Sequence, residues 1–425
     1  MDLEKLTALE AASLIAARKI SSEELTRACL ARIRAREPEV QAWAVLDEDM
    51  ALAAARAADA AKPASPLHGI PFGVKDVIDT GDLPTEYGSS IFKGHRPAKD
   101  AACVARMKAA GAVQLGKTVC TEFATYRPGK TKNPHNPNHT PGGSSSGSAA
   151  AVADYMVPLA FGNQTAGSHI RPAAFCGIPA FKPTHGTVDL RGIFELAPMF
   201  DTLGYYARSF DDLAAYYAVV RQVPRGPLAD GLGRLPRIGL YRGLDKHGEP
   251  PALAAVEAAA ARLRALGATV EEASLPAEFD ALSTVHTTML NVALTRSFAE
   301  IYPRHHNALS EVLRGMIEDG MKRTPQEYAA AVAHADGCKS RINAAIGSYD
   351  VLLCPSAPGE APQGLGMTGS PIFQTMWTLL QVPCATIPFG TGPKGLPLGV
   401  QLIGKRDDDE TVLRAAKWLH ARANG

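Results

Sequence analysis

Residues 141–177, PGGSSSGSAAAVADYMVPLAFGNQTAGSHIRPAAFCG, constrain this chain more than any other stretch. A Gly/Ser loop (Gly142, Gly143, Ser144, Ser145, Ser146, Gly147, Ser148) feeds an alanine-rich segment of helical composition. An apolar, strand-like piece follows, Val157-Pro158-Leu159-Ala160-Phe161, and then a second small-residue loop, Thr165-Ala166-Gly167-Ser168. Loops without bulky side chains let backbone approach closely, and each of these carries a serine at that approach. A flexible linker does not fit, because the dense apolar sequence on both sides implies burial. A phosphate cradle of the P-loop kind ends in Gly-Lys-Ser/Thr, and this loop has no lysine. A nucleophile elbow of the pattern Gly-x-Ser-x-Gly fits Ser168 poorly, since His169 and Ile170 follow it. What remains is a site built on paired serines.

Upstream, residues 69–79 (GIPFGVKDVID) read as a mostly buried strand interrupted by Gly and Pro, with Lys75 inside it. Lysines are seldom fully buried, and taken alone this one reads as a strand-end side chain reaching solvent along its aliphatic stem. Residues 111–118 (GAVQLGKT) have the letters of a P-loop. The residues between its glycines read as strand, where a cradle needs a loop, so nucleotide binding is not expected there.

Gly73-Val74-Lys75-Asp76, the Gly-Gly-Ser-Ser loop and a serine 24 residues beyond Ser144 together resemble the motifs of the amidase signature family, serine hydrolases that use a Ser–Ser–Lys triad. Phe181-Lys182-Pro183-Thr184-His185-Gly186, Asp201-Thr202-Leu203-Gly204 and the late segments 350–355, 382–388 and 395–404 are also similar to that family. The resemblance covers most of the chain and is weakest between about 225 and 345. It implies Ser168 as nucleophile, Ser144 (held in a cis peptide) as proton relay, and Lys75 as a base that acts when neutral. Burial favours that neutral form. It also implies an oxyanion hole of backbone N–H groups in the loop Thr165, Ala166, Gly167 and Ser168. No cofactor and no metal is implied. His169 reads as a pocket or packing residue, because adjacent side chains on a helix do not face each other.

The commonest family pattern places an arginine two positions after the nucleophile, whereas Arg171 here is at the third. That order resembles malonamidase-type amidases, in which this arginine holds a substrate carboxylate. Those enzymes carry threonine where this chain has Asn163. Arg171 and Asn163 are therefore the candidate substrate-binding residues, and a structural salt bridge is the alternative for Arg171.

Basic and acidic side chains balance, 44 against 43, which gives no electrostatic case for nucleic acid or an anionic membrane. No uninterrupted apolar stretch is long enough for a bilayer span, and the acidic N-terminus, Met1-Asp2-Leu3-Glu4-Lys5, is unlike a signal peptide. The seven cysteines (29, 103, 120, 176, 338, 354 and 384) are scattered without a Cys-x-x-Cys pair. They read as buried free thiols of a reducing cytoplasm, with no zinc site.

Residues 1–62 read as helices, with a capping box at Ser21 and Glu24. Strand–helix alternation from residue 100 onward suggests α/β units. The expected fold is therefore α/β, a single large domain over 1–425 with a mixed β-sheet core sandwiched by helices. N-terminal helices (1–62) lie outside it, and 225–345 is a variable region shaping the substrate entrance. The expected function is hydrolysis of a small-molecule amide through an acyl-enzyme, with a monoamide of a dicarboxylic acid as the specific case. Alternatives are a carbamate, aryl amide or ester hydrolase, the amidase subunit of a tRNA-dependent amidotransferase, and a non-catalytic binding protein. The partners implied are a small-molecule amide, no nucleic acid and no membrane, with a homodimer as the association considered.

Overall fold

Eleven strands hydrogen-bond into one mixed sheet within residues 1–423, the part of the chain that the computed structural model describes. Asn424 and Gly425 of the expected 1–425 domain lie outside the described residues. In chain order the strands are β1 (Trp43–Leu46), β2 (Pro71–Lys75), β3 (Val113–Thr118), β4 (Leu159–Gln164), β5 (Ala180–Lys182) and β6 (Thr202–Tyr206). They continue with β7 (Arg237–Tyr241), β8 (Thr269–Ala273), β9 (Val351–Pro355), β10 (Cys384–Thr391) and β11 (Pro397–Ile403). Across the sheet the order is β1-β3-β2-β4-β6-β5-β10-β11-β9-β7-β8. Every residue of β2, β3, β4, β6 and β9 is buried. Such continuous burial, without alternation, is what a sheet covered by helices on both faces requires. The expected α/β domain is the fold observed.

Two elements differ from the sequence reading. Residues 1–62 are not helical throughout, because β1 pairs antiparallel with β3, Trp43 facing Thr118. Its four residues sit between two helices and carry no strand pattern of their own. The strand is fixed by partners: the Glu37 carboxylate accepts from the Ala42 and Trp43 N–H groups at 2.8 and 3.0 Å, and Asp47 caps the next helix at Met50 N (2.9 Å). Residues 225–345, expected as a variable region shaping the substrate entrance, contribute β7 and β8, which extend the sheet itself. The P-loop-like letters at 111–118 fall on β3, a buried strand.

β2 and β4 run parallel, Phe72 beside Leu159, so Lys75 and Gln164 end their strands at the same edge of the sheet. The Gly/Ser loop arrives at this edge and continues as the helix Ser146–Ala153. Gly147 is required there: a Cβ would lie 2.2 Å from the Ala42 carbonyl oxygen and 2.4 Å from Val119 N. The second loop leaves β4 and continues as the helix Ile170–Cys176. No helix among the described residues is long and apolar enough to cross a membrane.

The N-terminal helices are held from a distance. Asp212, fully buried, accepts from Ala8 N (3.0 Å) and Leu9 N (2.9 Å) at the start of the helix Ala8–Ala16. Arg208 donates to the Glu4 carbonyl at 2.9 Å and to that of Leu6. Removing the Asp212 carboxylate strands two helix-initiating donors. Asp212→Ala is expected to lose about 1–3 kcal/mol of stability, seen as a lowered Tm and faster proteolysis near residue 10.

Candidate active site

Lys75 is fully buried, with its Nζ 2.6 Å from Ser144 Oγ. Its other partner is Asn163 Oδ1. No carboxylate of the described residues forms an ion pair with it. Burial pushes its pKa down to about 7, against the smaller opposing effects of Cys120 and Asp201. The neighbouring strand holds a second buried lysine in the opposite condition. Lys117 is ion-paired to Asp76 at 3.2 Å and donates to Thr85 Oγ1 at 2.5 Å. Of two buried amines on adjacent strands, only Lys75 is left without a counter-charge.

Ser144 follows a cis peptide bond from Gly143, and its carbonyl accepts from Thr121 N at 3.2 Å. Ser168 is 8% exposed, the most accessible of the three residues. A hydrogen bond from Ser145 N to the Ser168 carbonyl (3.2 Å) ties the two serine loops together. The structure thus closes the Lys75–Ser144 link, while the Ser168 hydroxyl makes no hydrogen bond within the described residues.

The loop after β4 is arranged by what its carbonyl groups do. Thr165 O accepts from His286 Nε2 (2.8 Å), Ala166 O from Thr378 Oγ1 (2.7 Å) and Gly167 O from Arg171 N (3.3 Å). In a trans peptide the carbonyl and the following N–H point in opposite directions. Tying these oxygens outward therefore turns the N–H groups of Ala166, Gly167 and Ser168 the other way, and none of them donates within the described residues. Thr165 is also held at its hydroxyl, which donates to Asp201 at 2.5 Å. Gln164 Oε1 accepts from the N–H groups of His169 and Ile170, both at 3.0 Å, and so caps the helix that follows.

His169 is a packing residue, as expected. Its Nε2 meets the Tyr205 carbonyl at 3.1 Å and its ring lies 4.0 Å from that of Tyr206. The cross-strand pair Gly162 and Gly204 leaves the slot it fills, where a Cβ on Gly204 would come within 2.4 Å of the ring. Burial lowers its pKa to about 3, so it is neutral.

Arg171 is 2% exposed, and its Nη2 donates to the Gly143 carbonyl (2.6 Å) and to Thr368 Oγ1 (3.2 Å). Nε and Nη1 are buried without a partner. The salt bridge considered as its alternative role is absent among the described residues. Burial lowers its pKa to about 10, and Tyr126 lies near enough to act on it electrostatically.

Asn163, expected beside Arg171 in substrate binding, is 2% exposed; its carbonyl oxygen accepts from Lys75 Nζ and its Nδ2 is buried without a partner. β4 runs parallel to β2, so the side chain meets the lysine rather than open space. Sequence reasoning missed Gln164, His286, Thr368 and Thr378. The last three stand in segments of ordinary pattern, 121 to 212 residues from the residues they hold, Thr165, Arg171 and Ala166, and nothing local marks them.

The sheet, the paired serine loops and the buried amine define an amide-hydrolysing enzyme. The chain belongs to the amidase family, whose profile matches residues 24–413. A glutamyl-tRNA(Gln) amidotransferase subunit from Chloroflexus aggregans is 36% identical over 468 aligned positions, covering 97% of this chain and 95% of the relative. Among solved structures, an amidase superposes with a TM-score of 0.90 at 28% identity, covering 98% of this chain and all of that one. The peptide amidase of Stenotrophomonas maltophilia does so with a TM-score of 0.81 at 28% identity, covering 99% of this chain and 97% of the other.

Proposed function

We propose that this chain is an amidohydrolase of small-molecule amides, with Ser168 as nucleophile, Ser144 as relay and Lys75 as base. The observation that carries the reading is the buried Lys75 amine, without a counter-charge, 2.6 Å from Ser144 Oγ. Neutral Lys75 takes the Ser144 proton as Ser144 takes that of Ser168, whose Oγ attacks the substrate carbonyl. The N–H groups of Ala166, Gly167 and Ser168 receive the oxyanion, each such donor contributing roughly 2.7–4 kcal/mol to the transition state. The proton returns through Ser144 to the leaving nitrogen. Water then attacks the acyl-enzyme by the same route in reverse. Asn163 holds one N–H of the amine and so turns its lone pair toward Ser144.

For the acyl side we propose a substrate carrying a carboxylate, a monoamide of a dicarboxylic acid, as in malonamidase-type amidases. Arg171 supports it as a buried guanidinium with two unpartnered nitrogens, one residue away from Ser144 through the Gly143 carbonyl. A guanidinium in this condition gains most from an incoming carboxylate.

The second reading, the amidase subunit of a tRNA-dependent amidotransferase, is favoured by the 36% identity to a protein of that kind. The alignment with that relative spans 468 positions against 425 residues here, so the relative carries segments that this chain lacks. That difference favours a stand-alone enzyme, and copurification of partner subunits would reverse the choice. All seven cysteines are buried and unpaired, which fits a reducing cytoplasm.

A fluorophosphonate should add its mass to the peptide containing Ser168 and to no other, and Ser168→Ala should abolish both labelling and turnover. Labelling elsewhere, or turnover by the alanine variant, overturns the nucleophile assignment.

Protonation of Lys75 removes the base, so kcat/KM should fall as pH drops through about 7 and level off above it. Asn163→Asp places a carboxylate against the amine and favours its charged form. The acid limb of the pH–rate profile should then move up by about one to three pH units.

Arg171→Leu should weaken an acidic amide by about 1.5–3 kcal/mol in kcat/KM, the usual size of a hydrogen bond to a charged group, and spare a neutral amide of similar size. Equal losses on both substrates would make Arg171 a support of the loop alone.

A further inference from the structure

We propose that His286, on the helix Leu282–Ser297 within residues 225–345, is a positioning residue that aims the oxyanion loop through the Thr165 carbonyl. This rests on the assignment of Ser168 and its loop made above. The Thr165 carbonyl precedes the Ala166 N–H in one planar peptide, so the direction of the oxygen dictates the direction of the donor. A carbonyl only accepts, and the 2.8 Å contact therefore fixes the Nε2–H tautomer of His286.

The imidazole is itself held. It is buried and stacks on Phe200 with ring centroids 4.4 Å apart and 22° between planes. Burial lowers its pKa to about 4, so the ring is neutral and keeps one donor. Phe200 precedes Asp201, whose carboxylate accepts from Thr165 Oγ1 and from the N–H groups of Leu196 and Ala197 at 2.9 Å each. Thr165 is thus gripped at its side chain by Asp201 and at its carbonyl by His286. The helix bearing His286 also packs on the helix Ile372–Leu379, whose Thr378 holds the next carbonyl, that of Ala166. Two consecutive peptides of the loop are set by two helices that pack on each other. The segment 225–345 thus holds donors that the proposed reaction depends on.

The test uses the full-length enzyme and a fluorophosphonate, whose phosphoryl oxygen enters the oxyanion site as it labels Ser168. Progress curves give kinact and KI, and the final stoichiometry counts intact sites, so partial unfolding does not distort kinact. His286→Leu should lower kinact by about 10- to 100-fold, a fraction of the loss from deleting an oxyanion donor outright, with KI within about threefold. His286→Gln keeps an N–H donor and should recover most of the rate. Should the leucine variant not fold, His286→Met serves in its place. Unchanged kinact in the apolar variant, or equal loss in the apolar and glutamine variants, overturns the proposal while leaving the nucleophile in place. Wild-type enzyme that takes no label at Ser168 overturns the nucleophile assignment, and this proposal with it.

Discussion

The site depends on the desolvation of one amine. A lysine taken out of water loses the stabilisation of its charged form, and unless a carboxylate restores it the side chain becomes neutral near pH 7. The sheet makes the contrast within itself. Lys117 on β3 is as buried as Lys75 on β2, yet Asp76 pairs with it. Lys75 meets a serine hydroxyl and an amide oxygen instead. Neither partner carries a charge that would hold the proton, which is the condition the proposed base requires.

The rest of the fold serves two requirements that follow. The amine must stay dry, which the continuous burial of β2, β3 and β4 secures. The groups around it must also be preorganised, and the loop after β4 does this by occupying its carbonyl oxygens elsewhere. His286, Thr378 and the Arg171 N–H take three successive oxygens, and the planarity of the peptide then turns three N–H groups the other way. In the proposed reaction, oxyanion donors fixed in this way would need no reorganisation, which is where such sites gain most of their effect.

Solved relatives at 28% identity share the architecture over nearly the whole chain. The segments that resemble the family lie on β2, β5, β6 and β9 to β11 and in the two serine loops. Residues 225–345 supply two strands and the helix bearing His286, so they belong to the framework.

Much of this was legible in the sequence because it is local. Small residues at 142–148 and 165–168 mark loops where backbone approaches closely. The Ser21–Glu24 capping box starts its helix as written, with Ser21 N donating to Glu24 Oε2 at 2.7 Å. Apolar letters at β2 and β4 (Phe72, Val74, Leu159 and Phe161) pointed to burial. What the tertiary structure alone decided are contacts between distant positions: β1 formed by pairing with β3, Asn163 turned to Lys75, Arg171 left without a carboxylate, and His286 placed on Thr165. The physical reason is that a side chain's role is set by the neighbour it meets, and here those neighbours stand some 70 to 120 residues away, beyond the reach of any helical or strand periodicity. Residue type fixed which groups could donate, accept or titrate, and the packing of the sheet against its helices chose their partners.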